Sequence, residues 1–433
     1  MFGSAHIDVS GRAWGIMGTF GGFMVKSAAL LALVVGSAMV AGAGPATAES
    51  DDGPLTSMSE FVPLMHGMPN VGSDLTIGRF KTRSCPVTDE APNGFVVEWL
   101  SNGEPLPAER QQGEVLKLTP ADRGDRISFN ARPSCREDQV YYSGETPPIA
   151  ASNRAMGWTG RGNTELLGRT PDGDLILYPR TYESEWRFWD MSFEGRYYSS
   201  SWDEPRVVGT GWNIFDIVFS PGDFDGDGNN DVLGRDQQGN LHLYPGDGQG
   251  GWLAPSKVGS GWNIFTSIVG PGDFNGDGNN DVLARDRQGN LLLYPGDGQG
   301  GWLAPSKVGA GWQIFNKIIA PGDTNGDGSV DIFARDANGV LHQYPADGQG
   351  GWKSPAAVGP GWGAMTEISG AGVFTRNWVT YNPANDGRGP RSDVFAIDQK
   401  GNLRLYSGAY PDDTGLYEVG EIGTGWDIFK DLI

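Results

Sequence analysis

A nine-residue acidic pattern, D-x-[DN]-x-D-G-x-x-D, occurs three times in this chain of 433 residues. Side chains at positions 1, 3 and 5 of such a loop can converge on one point, and the glycine at position 6 permits the sharp turn this needs. The aspartate at position 9 is expected to close the cage, with a backbone carbonyl near position 7 as a further ligand. Several hard oxygens on a tight loop suit Ca²⁺, whereas Mg²⁺ keeps more of its water. The pattern therefore predicts about three Ca²⁺ sites, whose side-chain ligands are Asp223, Asp225, Asp227, Asp231, Asp273, Asn275, Asp277, Asp281, Asp323, Asn325, Asp327 and Asp331.

The pattern differs from two other calcium loops and from a simple acidic turn. An EF-hand requires a bidentate Glu at position 12, where this chain has Gly234, Ala284 and Ala334. Dockerin loops precede helices, whereas the residues that follow here, such as 231–236 (DVLGRD), indicate a strand. A solvated acidic turn without metal is the remaining alternative. Carboxylates so close together would repel strongly without a cation, and three copies in register favour calcium.

The acidic loops belong to a longer repeat that covers residues 211–260, 261–310 and 311–360. Diverged copies flank these three. The upstream copy lacks the opening GW-x-IF segment, and the chain ends in an unpaired segment of that kind, 425–433. Short strands repeated at this period are typical of a propeller blade. We therefore predict an all-β protein with a five-bladed β-propeller over 150–433, closed by the C-terminal strand 425–433. An open β-solenoid is the alternative.

The acidic loops and their setting resemble the FG-GAP (VCBS) repeat family, known from the calcium-binding blades of integrin α-subunit propellers. That resemblance implies that calcium buttresses the blade and takes no part in catalysis, and it assigns this structural role to the twelve residues named above. The pattern is lost at Thr159, Arg161 and Glu165 upstream and at Val373 and Thr375 downstream. We expect those two blades to be free of metal.

Tryptophans form two further rows. Trp212, Trp262, Trp312, Trp362 and Trp426 belong to the GW segments, where packing between blades is the simplest role. Exposed tryptophans beside polar groups can instead stack on sugars. The spacing GGW-x-x-x-x-x-VG-x-GW-x-x-F resembles tachylectin-2, a five-bladed lectin for N-acetylglucosamine, although that lectin lacks the acidic loop. The resemblance implies glycan contacts at the second row, Trp202, Trp252, Trp302 and Trp352.

Residues 68–148 alternate as short strands and contain the only two cysteines, Cys85 and Cys135. In an exported chain such a pair predicts a disulfide. Trp99 lies between them on a candidate strand, an order typical of an Ig-like sandwich with the indole packed on the bridge. The segment resembles the small Ig-like repeats of secreted bacterial proteins, through Val71-Gly72, 98–103 (EWLSNG) and 116–125 (LKLTPADRGD). The resemblance implies a spacer or adhesion module.

Residues 1–48 have the features of a secretory signal peptide. Lys26 precedes the apolar run 28–35, and Ala46-Thr47-Ala48 is a small-x-small cleavage site. Either Met1 or Met24 could be the start, and an uncleaved membrane anchor is the alternative. Residues 49–67 are interpreted as a linker. No other run is long and apolar enough to span a bilayer, so we expect a secreted, extracellular protein without membrane insertion.

The net charge and the motifs of the sequence disfavour several classes of function. The formal net charge of −21 disfavours nucleic acid as a partner. No G-x-S-x-G or H-E-x-x-H motif is present, and Leu292 occupies the slot that holds His242 and His342 in the neighbouring repeats. We predict a non-catalytic, calcium-binding recognition module, lectin-like, for GlcNAc-type or cell-wall glycans. The alternatives are an adhesion module for a cell-surface protein and a glycoside-active enzyme with a carboxylate pair.

Overall fold

The computed structural model describes most of the chain from residue 65 onward. The described residues are 65–67, 69, 73–77, 95–111, 113–135, 138–146, 148–149, 157–160, 164–190, 193–325, 327–374, 380–381, 391–408 and 416–433. They belong to one compact unit, Val62–Ile433. The predicted signal peptide and Cys85 lie outside the described residues, so secretion and the Cys85–Cys135 bridge stay predictions. Within the described part, no helix has the length and hydropathy to cross a membrane.

The first seven strands form two antiparallel sheets around one core. They are β1 (Met65–His66), β2 (Asp74–Ile77), β3 (Phe95–Ser101), β4 (Glu104–Pro105), β5 (Val115–Lys117), β6 (Ile127–Pro133) and β7 (Tyr141–Tyr142). One sheet contains β1, β2 and β5, and the other has the order β4-β3-β6-β7. Trp99 is fully buried and packs edge-on against Phe129, with ring centroids 5.4 Å apart. We call this part, residues 65–149, the small domain.

The boundary of the small domain differs from the sequence-based expectation. Met65 and His66 fall in the segment interpreted as a linker, 49–67, yet they form β1, which pairs with β2. Met65 is fully buried in the core of the small domain. The run is too short to show strand periodicity, and its pairing depends on a partner strand that the local sequence does not reveal.

The rest of the described chain is built from repeated four-stranded antiparallel sheets, which we number one to five in chain order. In β15 of the second sheet, Leu241 and Leu243 are buried while His242 and Tyr244 are half-buried, the alternation expected of a strand between two layers. The strands by sheet are as follows: first, β8 (Leu166–Arg169), β9 (Leu175–Tyr178), β12 (Arg206–Gly209) and β30 (Asp431–Leu432); second, β13 (Phe215–Gly222), β14 (Asp231–Asp236), β15 (Leu241–Tyr244) and β16 (Ser256–Gly259); third, β17 (Phe265–Gly272), β18 (Asp281–Asp286), β19 (Leu291–Tyr294) and β20 (Ser306–Gly309); fourth, β21 (Phe315–Gly322), β22 (Asp331–Asp336), β23 (Leu341–Pro345) and β24 (Ala356–Gly359); fifth, β25 (Met365–Gly372), β27 (Asp393–Asp398), β28 (Leu403–Gly408) and β29 (Leu416–Gly423).

The first sheet combines both ends of the repeat region. Its innermost strand β30 comes from the C-terminus and pairs antiparallel with β8, with Asp431 opposite Arg169 and Leu432 opposite Gly168. Neighbouring sheets share hydrophobic clusters along the series. A further cluster joins the fifth sheet to the first, where Phe395 and Leu405 pack with Leu166 and Phe429. The repeat sheets therefore contact one another in a closed order.

The ends of the innermost strands define two faces of the repeat region. Short 3-10 turns precede these strands at Trp212–Ile214, Trp262–Ile264, Trp312–Ile314, Trp362–Ala364 and Trp426–Ile428. The acidic loops follow β13, β17 and β21, at the opposite ends of the same strands. An eight-residue strand separates the two by roughly 27 Å. We call the former the turn face and the latter the loop face.

Two insertions break the repeat, and both leave the sheets at the loop face. The first is a hairpin of β10 (Arg180–Asp190) and β11 (Phe193–Trp202) between β9 and β12. The second follows β25 and contains β26 (Thr380–Tyr381), which pairs with β1 of the small domain. The small domain is thereby attached at the loop face of the fifth sheet.

Candidate metal centre

Each acidic loop is the hairpin connection between the two innermost strands of its sheet. In the second sheet, β13 ends at Gly222 and β14 begins at Asp231, so the loop spans 223–230. Gly226 and Gly228 adopt positive φ angles of 84° and 94°, which other residues reach only with strain. A Cβ atom on Gly226 would lie 2.3 Å from the carbonyl oxygen of Gly298 in the next sheet. Glycine is therefore required here both for the positive φ of the turn and for the close approach of the neighbouring loop.

Three carboxylates converge inside this loop. Asp223, Asp225 and Asp227 each offer a carboxylate oxygen, and these oxygens all lie within 4.8 Å of one another. Asp223 is buried, Asp225 is half-buried and Asp227 is exposed, so the cluster runs from the base of the loop to its surface. The predicted ligands at positions 1, 3 and 5 are therefore brought together, in a form that offers several hard oxygens to one cation.

Backbone amides hold these carboxylates in place. The N–H of Gly226 donates to Oδ1 of Asp223 at 2.7 Å, and the N–H of Gly228 donates to its Oδ2 at 3.1 Å. The amide of Asn229 donates to Asp227 at 2.8 Å. Each bond curls the chain around the side chain that accepts it, which is how local hydrogen bonds of Asp and Asn stabilise turns.

Asp231, at position 9, has a different environment from the three clustered aspartates. Its side chain is fully buried, and its Oδ2 accepts the N–H groups of Phe224 at 2.8 Å and Asp225 at 3.2 Å. Its Oδ1 accepts the N–H of Gly246 at 3.0 Å, in the loop before β16. Asp231 lies outside the group of oxygens within 4.8 Å. The described contacts make it an anchor of the turn, whereas the sequence predicted a ligand closing the cage.

Without a cation, ionisation of the carboxylates in this loop is unfavourable. Burial, reinforced by the neighbouring charges of Asp225 and Asp223, raises the pKa of Asp231 to about 8. Burial also raises the pKa of Asp223 to about 6, against the opposing effect of the Arg123 guanidinium. Burial and the charge of Asp227 raise the pKa of Asp225. A bound cation would favour the ionised forms and reverse these shifts.

The third and fourth sheets repeat these hydrogen bonds with an asparagine at position 3. In the third sheet the N–H of Gly276 donates to Asp273 at 2.7 Å, and the N–H of Phe274 donates to Asp281 at 2.9 Å. Burial raises the pKa of Asp281 to about 8. In the fourth sheet Asp331 accepts the amide of Thr324 at 2.8 Å, and burial raises its pKa to about 6. All twelve predicted ligands thus lie on three equivalent loops.

We name each loop by the number of its sheet, so that 223–230 is the second loop and its equivalents in the next two sheets are the third and fourth. An arginine of the small domain reaches the second loop. Nη2 of Arg123 lies 2.9 Å from Oδ2 of Asp223, whose side chain is fully buried. Nη1 of the same guanidinium donates to Oδ1 of Asn279 in the third loop at 3.2 Å. Sequence reasoning missed this residue, because a surface arginine 100 positions before its partner carries no local signal.

The tryptophan rows lie at the junctions between sheets. The GW row is buried, as packing requires: Trp262, for example, belongs to a hydrophobic cluster with Leu241 and Leu243 of the preceding sheet. The members of the second row, Trp202, Trp252, Trp302 and Trp352, are half-buried. In three of them the indole N–H donates to a carbonyl of the preceding sheet, such as Val258 for Trp302 at 2.9 Å. Those indoles can therefore offer a ligand part of a ring face but not the N–H.

The comparisons with known proteins agree with this architecture at the level of the repeat. Residues 223–284 and 273–334 match the family described as FG-GAP-like repeat. No curated protein matches the sequence. The matched residues contain all three acidic loops, so the chain contains FG-GAP-like repeats, as the sequence predicted.

Solved structures with a related arrangement are distant in sequence. A lectin from Burkholderia pseudomallei is 16% identical, with 83% of each chain covered and a TM-score of 0.35. A lectin from Agrocybe aegerita that recognises non-reducing terminal N-acetylglucosamine is 16% identical, covering 70% of this chain and 80% of its own, at a TM-score of 0.30. A rhamnogalacturonan lyase from Bacillus licheniformis is 13% identical, covering 83% and 69%, at a TM-score of 0.23. Lectins and lyases both appear, so these likenesses do not choose a function.

Proposed function

We propose that this protein is a secreted, non-catalytic recognition module built on a calcium-stabilised β-propeller. The observation that carries the calcium site is the convergence of Asp223, Asp225 and Asp227 within 4.8 Å on a loop shaped by its own amides. Hard oxygens at this spacing fit Ca²⁺, which would bind at the equivalent positions of three loops.

We further propose that the five repeat sheets are the blades of one propeller, with β30 completing the first blade. The cluster shared by the fifth and first sheets supports ring closure over an open solenoid. A row of arginines also links successive sheets, since Arg235 donates to the carbonyls of Trp262 at 2.9 Å and Phe265 at 2.6 Å in the next sheet. The small domain, proposed to be Ig-like and bridged by Cys85 and Cys135, would act as a spacer.

A binding role fits the described side chains better than catalysis does. The imidazoles of His242 and His342 each contact an aspartate, Asp236 at 3.0 Å and Asp336 at 3.3 Å. In the part of the chain that the structure describes, neither imidazole is hydrogen-bonded to a hydroxyl or thiol that it could activate. The regular carboxylates belong to the loops, where a cation is the simplest occupant.

The first ligand class that we propose is a glycan, contacted at the half-buried tryptophans of the second row. The aromatic junctions repeat from sheet to sheet, which would give several equivalent sites. Because the indole N–H groups are occupied, recognition there would rest on stacking against the ring together with nearby backbone groups.

A protein partner is the second candidate, and a different surface favours it. On the turn face, Ile214, Ile264, Ile314 and Ile428 are between 50% and 59% exposed at equivalent positions. Repeated exposure of a large apolar side chain is characteristic of an interaction surface. Such a surface would suit an apolar protein face better than a sugar.

Calorimetric titration of chitin oligosaccharides, with calcium and then with EDTA, tests the glycan proposal. Binding at more than one site per chain supports it, and loss of binding in EDTA would link the sites to the loops. A triple variant Ile214→Ser/Ile264→Ser/Ile314→Ser is the matched control, since it alters only the turn face. Absence of heat in both conditions would reject GlcNAc-type glycans, and loss of binding in the control variant would move the site to the turn face.

A further inference from the structure

Arg123 lies next to a hydrogen-bonded turn of the small domain, and its side chain reaches the second loop, 223–230. It follows the 3-10 turn Pro120–Asp122, whose Asp122 accepts two bonds from the guanidinium of Arg110, at 2.5 Å and 2.9 Å. The N–H of Thr119 donates to the same carboxylate at 2.7 Å. These contacts fix the turn within the small domain, so the backbone from which Arg123 reaches Asp223 is held in place.

The arginine contacts the three acidic loops unequally. It forms an ion pair with position 1 of the second loop, Asp223, and a neutral hydrogen bond with Asn279 of the third loop. The position-1 aspartate of the third loop, Asp273, accepts backbone N–H groups at its two oxygens. The second and third loops are otherwise close copies, so they form a natural pair for comparison.

The docked guanidinium occupies one of the oxygens a cation would use. Oδ2 of Asp223 already accepts the N–H of Gly228 and the Nη2 of Arg123. A divalent cation among Asp223, Asp225 and Asp227 would lie close to the guanidinium and repel it. The Nε of Arg123 is buried without a hydrogen-bond partner, so the docked state carries an uncompensated desolvation cost.

We propose that Arg123 is a built-in counter-ion that competes with the cation for the second acidic loop. Calcium binding at this loop is then coupled to release of the Arg123 contact and loosening of the small domain against the loop face. By reciprocity, docking of Arg123 weakens calcium binding by the same factor, which is typically about tenfold for such couplings. This inference rests on the proposed calcium sites and adds a calcium-sensitive contact between the two parts of the chain.

The competition makes an unusual prediction about the order of affinities. The second loop has an aspartate at position 3 where the third has Asn275, and more ligand charge favours tighter calcium binding. Competition from Arg123 instead makes the second loop the weaker site in the native protein. Removal of the arginine should restore the order that ligand charge dictates.

The test isolates the second loop in the full chain with the substitutions Asp277→Asn and Asp327→Asn in the other two loops. Calcium affinity is then measured by calorimetry with Arg123 intact, with Arg123→Gln and with Arg123→Lys. Arg132→Gln is the matched control, because Arg132 is an exposed cation of the same domain. Hydrogen exchange of the amides of residues 121–125, with and without calcium, gives a second readout that does not depend on any variant.

The expected result is about tenfold tighter binding in Arg123→Gln and no change in Arg132→Gln. Arg123→Lys should fall between, since an ammonium cannot bridge Asp223 and Asn279 with the arginine fork. Calcium should also speed exchange at residues 121–125 in the native protein. Equal affinities in all variants with unchanged exchange would overturn the competition and leave the calcium sites standing. Absence of calcium binding in every variant would overturn both proposals.

Discussion

The equivalent loops of the first and second repeat sheets share a buried acidic anchor but differ greatly in charge. In the second sheet, Asp231 accepts the amides of Phe224 and Asp225. In the first sheet, Glu165 takes this place and accepts the amides of Trp158 at 2.7 Å and Thr159 at 3.0 Å. Yet the first loop has no aspartate at positions 1, 3 or 5.

This comparison separates two roles that the sequence pattern had merged. The acid at position 9 recurs in every repeat sheet, as Glu165, Asp231, Asp281, Asp331 and Asp393, and each is buried. A buried carboxylate that accepts backbone amides anchors the turn whether or not metal is present. Acids at positions 1 and 5, with Asp or Asn at position 3, occur only in the three central sheets, so they are the part of the pattern that we propose serves a cation.

If the acids at positions 1, 3 and 5 bind calcium, its removal should have the largest effect on the free energy of unfolding. At a free calcium concentration of 100 times the dissociation constant, each site adds about 2.7 kcal/mol, or about 8 kcal/mol for three sites. Thermal unfolding in calcium and in EDTA measures the difference. Identical melting temperatures in the two conditions would contradict the stabilising role of the central loops.

Substitution of the position-9 acid should be costly in both loops. Asp231→Leu leaves the amides of Phe224, Asp225 and Gly246 without their acceptor, and we expect a loss of about 3 kcal/mol in the free energy of unfolding. Glu165→Leu in the first sheet should cost a similar amount. Denaturant titration in EDTA measures both, because the anchor role does not need metal. A loss confined to calcium-containing buffer would show that Asp231 acts as a ligand only.

Substitution of a clustered acid should behave in the opposite way. Asp227→Asn should remove most of one calcium contribution, about 2.7 kcal/mol under saturating conditions. In EDTA the same change should be neutral or slightly stabilising, because it removes a charge that raises the pKa of Asp225. The sign change between the two buffers is the diagnostic result, with Asp172→Asn in an exposed turn of the first sheet as the control.

The smallest effect on stability is expected when the acidic pattern is introduced into the loop of the first sheet. Gly157→Asp, Thr159→Asn and Arg161→Asp would complete it, since Gly162 already occupies position 6 and Glu165 position 9. Calcium binding should rise by one ion per chain, with a gain of about 1 kcal/mol at a concentration a few times the dissociation constant. An unchanged stoichiometry would show that the sheet context, and not only the loop, determines binding.

Much of the fold followed from the sequence because it is periodic. The 50-residue repeat located the strands, the connecting turns and the C-terminal segment that pairs with β8. The short strands expected within residues 68–148 are present as β2, β3, β5, β6 and β7. Local alternation and turn chemistry determine such elements, and both can be read from short windows.

The contacts between the small domain and the repeat sheets could not be read in this way. The pairing of β1 with β26 joins residues more than 300 positions apart, and neither strand is longer than two residues. The Arg123–Asp223 pair depends on the same docking. The second tryptophan row was similarly ambiguous, because its burial depends on the neighbouring sheet and not on its own loop.

The calcium content of the purified protein, measured by mass spectrometry after equilibrium dialysis, tests the central claim most directly. We expect three calcium ions per native chain and two in the Asp227→Asn variant, with the Glu165→Gln variant unchanged at three. A native protein without bound calcium, or an Asp227→Asn variant that retains all three ions, would contradict this expectation.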